Sequence, residues 1–316
     1  DARPRKDSRT RHMRRYRWGV ADRLLSVEDS RRGETRYSYT PTGQLERAEY
    51  PDGRVQWRKS DQTGNLYPDP DMRLRRYLGG GRLEQDGEWH CEYDADGNLT
   101  ERYLGTGRWL DGKKDRWRYR WNADGSLAKV VRPDKREVEF TYDALGRRLS
   151  KSFGTTVTRW VWNGNVPLHQ WKQHREYSVV EDRWHTDTER RDMTVWLFDE
   201  ESFVPVAMLK EGRSYSILTD QLGTPTEAYD TEGNEVWSRI LDMDGNVIEE
   251  TGNKGMVPFL FQGQYYDRET GLAYNRFRYY SPQMGMYVSQ DPIGLAGGIL
   301  NLYGYVNDPN TWIDIL

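Results

Sequence analysis

A single cysteine, Cys91, stands in 316 residues. It excludes an intrachain disulfide and any multi-cysteine metal site, and it accords with folding in a reducing cytoplasm. Histidine is also scarce. His12, His90, His169, His174 and His185 are scattered without an HExxH-like spacing, so no metal and no cofactor is expected. No run of eighteen apolar residues occurs, and none is therefore read as a membrane span. No segment has the layout of a signal peptide. A charge excess of one sign is missing too: 47 Lys+Arg against 50 Asp+Glu give a net charge of -3, whereas a global nucleic-acid binder is normally basic. The local exception is Arg3, Arg5, Lys6, Arg9, Arg11, Arg14, Arg15 and Arg17. A basic arm for nucleic acid or an acidic partner is one reading; a solvated strand face or ragged fragment end is the preferred one. Gly79-Gly80-Gly81 has no following Lys-Ser/Thr and reads as a loop. The chain has no initiator Met and opens in mid-repeat, so a fragment of a longer polypeptide is expected.

What is abundant is aromatic. Only 35% of residues are hydrophobic and the mean hydropathy is -0.99, yet 13 Trp and 21 Tyr bring the aromatic fraction to 13%. Such residues favour pleated, half-buried surfaces, which predicts an extended β surface rather than disorder. A repeat organises it. Tyr93-Asp94-Ala95-Asp96-Gly97-Asn98-Leu99 and Tyr142-Asp143-Ala144-Leu145-Gly146-Arg147-Arg148-Leu149 share the form aromatic-x-aromatic-Asp-x-x-Gly-x-Leu, with one residue of slippage in the second. Further copies run through Gly43, Gly64 and Gly125, and a degenerate one places Asp22 where glycine belongs. The intervals along 22, 43, 64, 97, 125 and 146 are 21, 21, 33, 28 and 21. Tyr229-Asp230 with Gly233 and Asp242 with Gly245 extend the series. Asp caps a turn through its side chain and Gly supplies positive φ. Arg116 to Trp121 alternates as a strand does. Tyr50-Pro51-Asp52-Gly53 and Arg132-Pro133-Asp134 mark a second turn, so each unit reads strand, turn, strand, turn. Trp160 to Asn165 could mimic a carbohydrate-stacking surface, but a hairpin with an Asn-Gly turn is the simpler account.

The unit resembles the YD repeat of Rhs (rearrangement hotspot) proteins. Three later stretches strengthen the resemblance: Thr219 to Pro225, Phe261 to Asp267, and Glu269 to Tyr280. So does the end of the chain, with Asp291-Pro292-Ile293-Gly294-Leu295, Asn301-Leu302-Tyr303-Gly304-Tyr305-Val306 and Trp312-Ile313-Asp314. The repeats cover roughly the first half, and residues 217–316 are the specific part. The expected fold is all-β: hairpins forming a curved, spiralling antiparallel sheet, part of a hollow shell, over residues 1–216, followed by an inward-curling C-terminal plug over residues 217–316.

The resemblance implies a function. Rhs proteins and the related C subunits of Tc toxins enclose a toxic C-terminal domain and release it by aspartyl self-cleavage, one turnover per molecule. By residue, it points to Asp291 and Asp314 as the catalytic pair, with Arg278 as a candidate for positioning or charge stabilisation and Arg276 as the lesser alternative. Read by residue type alone, Asp291 could simply start a turn through Gly294, and Arg278 could simply pair with a carboxylate or stack on a tyrosine. The family's second aspartate normally sits in Asp-Pro-x-Gly-Leu with scission after the leucine, which would fall beyond Leu316. Ile315 departs from that pattern. The 23-residue spacing of the two aspartates does too, with Ile299-Leu300 resembling a one-residue insertion. Implied partners are the cleaved toxin domain, the remaining N-terminal part of the shell, and a secretion or delivery apparatus of type VI or Tc-like kind. The protein would be made in the bacterial cytoplasm and then delivered into target cells. A non-enzymatic adhesion or carbohydrate-binding module is the alternative. The inner surface is expected to carry aromatics and mixed charge without a solid packed core.

Overall fold

The Asp-x-x-Gly turn dictates the architecture. In the computed structural model, which describes residues 12–105 and 113–315, every such turn closes the same way. The glycine N–H donates to the aspartate carbonyl, as in Gly64 to Asp61 (3.1 Å), Gly146 to Asp143 (2.9 Å) and Gly245 to Asp242 (3.1 Å). The aspartate Oδ1 meanwhile accepts the N–H groups two and four residues on, Leu145 and Arg147 for Asp143, and Asp244 and Asn246 for Asp242. The glycine sits at positive φ, +84° at Gly64 and +75° at Gly146, and in the degenerate first copy Asp22 adopts +54°. At the second type of turn, Lys135 at φ +66° takes the place that Gly53 holds at +83°.

These turns join strands into antiparallel sheets in chain order. Residues Arg14–Trp18, Leu24–Asp29, Gly33–Tyr39, Leu45–Glu49 and Val55–Trp57 make a five-stranded sheet, and Lys59–Ser60 pairs with Leu66–Tyr67. A long sheet then runs from Arg75–Tyr77 to Val247–Gly252, each strand beside the next. Val166–Ser178 branches, pairing with Arg183–Thr186 at its far end and Arg191–Phe198 nearer the turn. Among the described residues the two end strands do not pair with each other, so the sheet is an open ribbon that must twist. The five-stranded sheet is tied to the end of the long one by Arg31–Glu235 (2.5 Å) and Arg58–Asp244 (3.3 Å), and by Arg14 on Glu227. The expected basic arm lies partly outside the described residues, from Arg3 to Arg11; of the remainder, Arg14 is spent on Asp29 and Glu227, and Arg15 faces Glu28.

The repeat's other residues seal one unit to the next. The leucine after each glycine is fully buried at Leu24, Leu45, Leu99 and Leu127. The aromatic residue just before the next turn, which Thr40, Asn122, Asp143 or Asn163 opens or enters, donates to a carbonyl of the unit behind it: Tyr39 Oη to Leu24 O (2.9 Å), Trp121 Nε1 to Leu99 O (2.8 Å), Tyr142 Oη to Leu127 O (2.7 Å) and Trp162 Nε1 to Arg148 O (2.7 Å). The last of these resolves the slippage noted above. Arg148, not Leu149, occupies the leucine place; it is 1% exposed while Leu149 turns outward.

After Gly252 the chain leaves the long sheet and folds into a four-stranded antiparallel meander, Tyr265–Asp267, Leu272–Asn275, Arg278–Ser281 and Met286–Tyr287. It packs on the face carrying Trp160, Trp196, Met208, Ile217 and Trp237, forming one continuous core with Phe259, Tyr265, Tyr274 and Tyr279. The expectation of a surface without a packed core therefore fails for this part of the sheet. Its aromatics bury large areas, and the meander supplies the cover.

Candidate functional site

The third strand of the meander begins with Arg278, and its guanidinium brings the two predicted aspartates together. Arg278 is 3% exposed and its Cζ lies 3.7 Å from the centre of the Tyr287 ring. Nη2 meets Asp314 Oδ2 at 2.6 Å and Nη1 meets Asp291 Oδ2 at 3.3 Å. One planar fork thus spans two carboxylates that arrive from different parts of the chain. The alternative Arg276 does not join them. It sits at φ +57° in the turn between two meander strands and stacks on Phe277.

Each aspartate is held by local chemistry. Asp291 fulfils the turn role as well as facing Arg278. Its Oδ1 accepts the Ile293 N–H at 2.9 Å, its carbonyl accepts the Gly294 N–H, and its own N–H is fixed on Leu302 O at 2.8 Å. That leaves Oδ2 for the arginine. Gly297 makes room for this oxygen: a Cβ there would lie 2.8 Å from Asp291 Oδ2. Asp314 ends an arm that starts in a turn capped by Asp308, which accepts from Asn310 N (2.9 Å) and Thr311 Oγ1 (2.9 Å). Tyr287 Oη donates to Asp314 Oδ2 at 2.9 Å, and Asn275 Nδ2 donates to the Asp314 carbonyl at 2.8 Å and to Tyr287 Oη at 2.5 Å. Burial, opposed by Arg278 and reinforced by the charge of Asp314, holds the Tyr287 hydroxyl well above its ordinary pKa, so it stays a donor.

Two carboxylates on one cation can divide proton work. One can take a proton while the other gives one, and the shared arginine lowers the cost of holding both close. Sequence reasoning missed Asn275, Tyr287 and Gly297. Asn275 lies inside the quoted stretch Glu269 to Tyr280, but nothing in its type marks it as a partner of Asp314. Among the described residues no cluster of His, Cys, Asp and Glu could hold a metal ion, and no helix is long and apolar enough to cross a membrane.

The chain resembles several known proteins. Double-stranded DNA deaminase toxin A of Burkholderia cenocepacia (strain H111) is 32% identical over 323 residues, covering 95% of this chain and 22% of that protein. Toxin protein Tse5 of Pseudomonas aeruginosa is 30% identical over 368 residues, covering 96% of this chain and 26% of that protein. The chain therefore spans only about a quarter or less of these relatives. Among solved structures, that of TcdB2-TccC3 without the hypervariable C-terminal region superposes with a TM-score of 0.56 at 15% identity, over 96% of this chain and 18% of that one. This likeness speaks to the fold. The pattern of the teneurin YD-shell family matches residues 20–309, and the chain belongs to that family.

Proposed function

We propose that this chain is part of a β shell enclosing a toxin domain, and that Asp291 and Asp314 cut the polypeptide once to separate shell from cargo. Two relatives are toxins by name. The observation that carries the reading is the convergence of both aspartates on Arg278. In the reaction one carboxylate takes a proton from water, and the resulting hydroxide attacks the scissile carbonyl carbon. The other carboxyl group gives its proton to the departing nitrogen as the C–N bond breaks. One water is consumed, and a new carboxyl and a new amine are formed. Neither residue is assigned as the base. Arg278 holds both carboxylates in reach of one bond, with Tyr287 beneath it. In this reading the parent protein is made in a bacterial cytoplasm and carried out by a delivery apparatus, with the sheets up to Gly252 as the wall and the residues after it as the plug.

The test is expression of the full-length parent with Asp291→Asn or Asp314→Asn, followed by a denaturing gel. Each substitution is expected to leave the parent uncut. Complete scission in both would refute the reading. Gly297→Ala, which presses a methyl against Asp291 Oδ2 without touching the dyad's chemistry, is expected to slow scission by about a hundredfold.

A further inference from the structure

The arm that carries Asp314 does not stop at the carboxylate. Ile315 borders a narrow, mostly apolar pocket between the long sheet and the meander, whose other walls include Trp162, Phe198, Phe203, Phe259 and Arg276, with about 20 Å³ of free space there. Gly263, at φ +81°, lets the arm come close: a Cβ on it would lie 3.5 Å from Ile315 Cα and 3.0 Å from Asn275 Oδ1. Immediately before the pocket, the Asp314 carbonyl is fixed by Asn275 Nδ2, a side chain 1% exposed. A main-chain grip and a side-chain pocket thus act on adjacent residues.

We infer that Asn275 and the Ile315 pocket form a recognition clamp that sets the register of the chain passing the two aspartates, and that the pocket accepts an aliphatic residue directly after Asp314. The inference rests on the self-cleavage reading. Its physical content is positional. A scissile carbonyl carbon must be held about 3–3.5 Å from its attacking water, and a misplacement of about 1 Å costs about a hundredfold in rate. An arm held only by the Asp314 side chain could slide or twist. An arm gripped at a carbonyl and at the next side chain presents one bond. The pocket sorts by chemistry, because its aromatic walls favour an apolar side chain, while Arg276 stands there as a charged neighbour. It also sorts by size, because the remaining space is about that of one water molecule. Asn275 is a positioning residue, acting on the arm through the Asp314 carbonyl.

The experiment compares full-length parent proteins carrying Ile315→Val, Ile315→Ala and Asn275→Ala. Scission rate is followed during cell-free synthesis, and the cut position is read by intact mass. Ile315→Val is expected to cut at the native bond within about threefold of the native rate. Ile315→Ala and Asn275→Ala are expected to cut about tenfold to a hundredfold more slowly and at more than one position. The spread of positions is a readout that a merely structural role would not produce. A single native cut at the native rate in both variants overturns the clamp. Should Asn275→Ala fail to accumulate in folded form, as judged by its melting curve, Ile315→Ala alone carries the same two readouts. Asp291→Asn and Asp314→Asn are run alongside. If they cut normally, the self-cleavage reading itself has failed; if they are uncut while the clamp variants behave as the native protein, only the clamp has.

Discussion

The unit around Leu127 and the unit around Arg148 share a turn, a ladder and an aromatic strap, yet they are sealed in opposite ways. Leu127 closes its place by burying apolar surface, and Tyr142 Oη reaches its carbonyl. Arg148 occupies the same place, and Trp162 Nε1 reaches its carbonyl. Its guanidinium extends past the sheet into the meander. It pairs with both oxygens of Asp267, which is 0% exposed, and packs within 5.5 Å of the ring centres of Phe140, Trp160, Tyr265 and Tyr274. Lys151 Nζ adds a second cation at 3.0 Å from Asp267 and 2.7 Å from Glu269. Burial opposes the charge on Arg148, and Asp267 with the neighbouring Tyr279 overcomes that opposition, so its pKa is raised. The repeat thus tolerates a cation in its leucine place where a second layer supplies the anion. Arg148 works as the interlock between the sheet and the layer that carries Arg278.

The comparison breaks most sharply at the ion pair. Arg148→Ala leaves Asp267 with Lys151 alone in a dry site, and a loss of about 4 kcal/mol is expected in urea titrations, because removing one partner strands the other. The double variant Arg148→Leu/Asp267→Leu restores the repeat's own residue and removes the stranded anion. It is expected to recover most of that loss, since buried ion pairs often give way to apolar residues at little cost. A double variant as unstable as the single one would mean that the pair, rather than the charge left behind, stabilises the junction. Leu127→Ala should cost about 3 kcal/mol by transfer and cavity formation, with no rescue available from the meander. If the two layers are interlocked as described, Arg148→Ala also lowers the melting temperature of the meander's tyrosine signal more than Leu127→Ala does.

How far the sequence could be read follows from how local the chemistry is. The turns were legible because Asp and Gly carry out the turn within five residues, and even the Asp22 copy adopts the left-handed geometry that the pattern required. The Arg148 seal was not, because its partner Asp267 lies 119 residues away and Leu149 stands one place beyond as a plausible substitute. Asp291, Asp314 and Arg278 were named through resemblance, and the structure gathers all three. Their support was hidden for the same reason as the Arg148 seal. Asn275 and Tyr287 lie 39 and 27 residues from Asp314 and share no spacing rule with it. The packed core over the long sheet depended on which face the chain returned to cover, which periodicity along a strand does not encode.

The smallest expected effect separates two turns of identical design. Asp143 lies near solvent. Desolvation pushes its pKa up, but the Arg147 N–H and guanidinium and the Leu145 N–H outweigh it, so its carboxyl is held below the usual value. Its contribution is present above the ordinary carboxylate pKa and is lost as pH falls through the folded value. Asp242 makes the same turn where the five-stranded sheet and the meander converge. Tyr50 Oη and Gln56 face Met243 N, Arg58 and Gln56 bind Asp244, and Asn246 Nδ2 reaches Pro282 O. Burial, then the charge of Asp244, push Asp242 up to about 6 from 3.8. A raised folded pKa reverses the sign. The folded state binds the proton more tightly than the unfolded one, so the contribution is complete below 3.8 and lost as pH rises through about 6. Relative to Asp242→Asn, the native chain should therefore gain about 2 kcal/mol between pH 7 and pH 4, whereas relative to Asp143→Asn it should lose stability over the acid end of that range. Urea titrations of the three proteins at pH 4, 5, 6 and 7 measure both slopes. Parallel slopes for the two variants would show that the buried junction does not distinguish Asp242 from an ordinary turn aspartate.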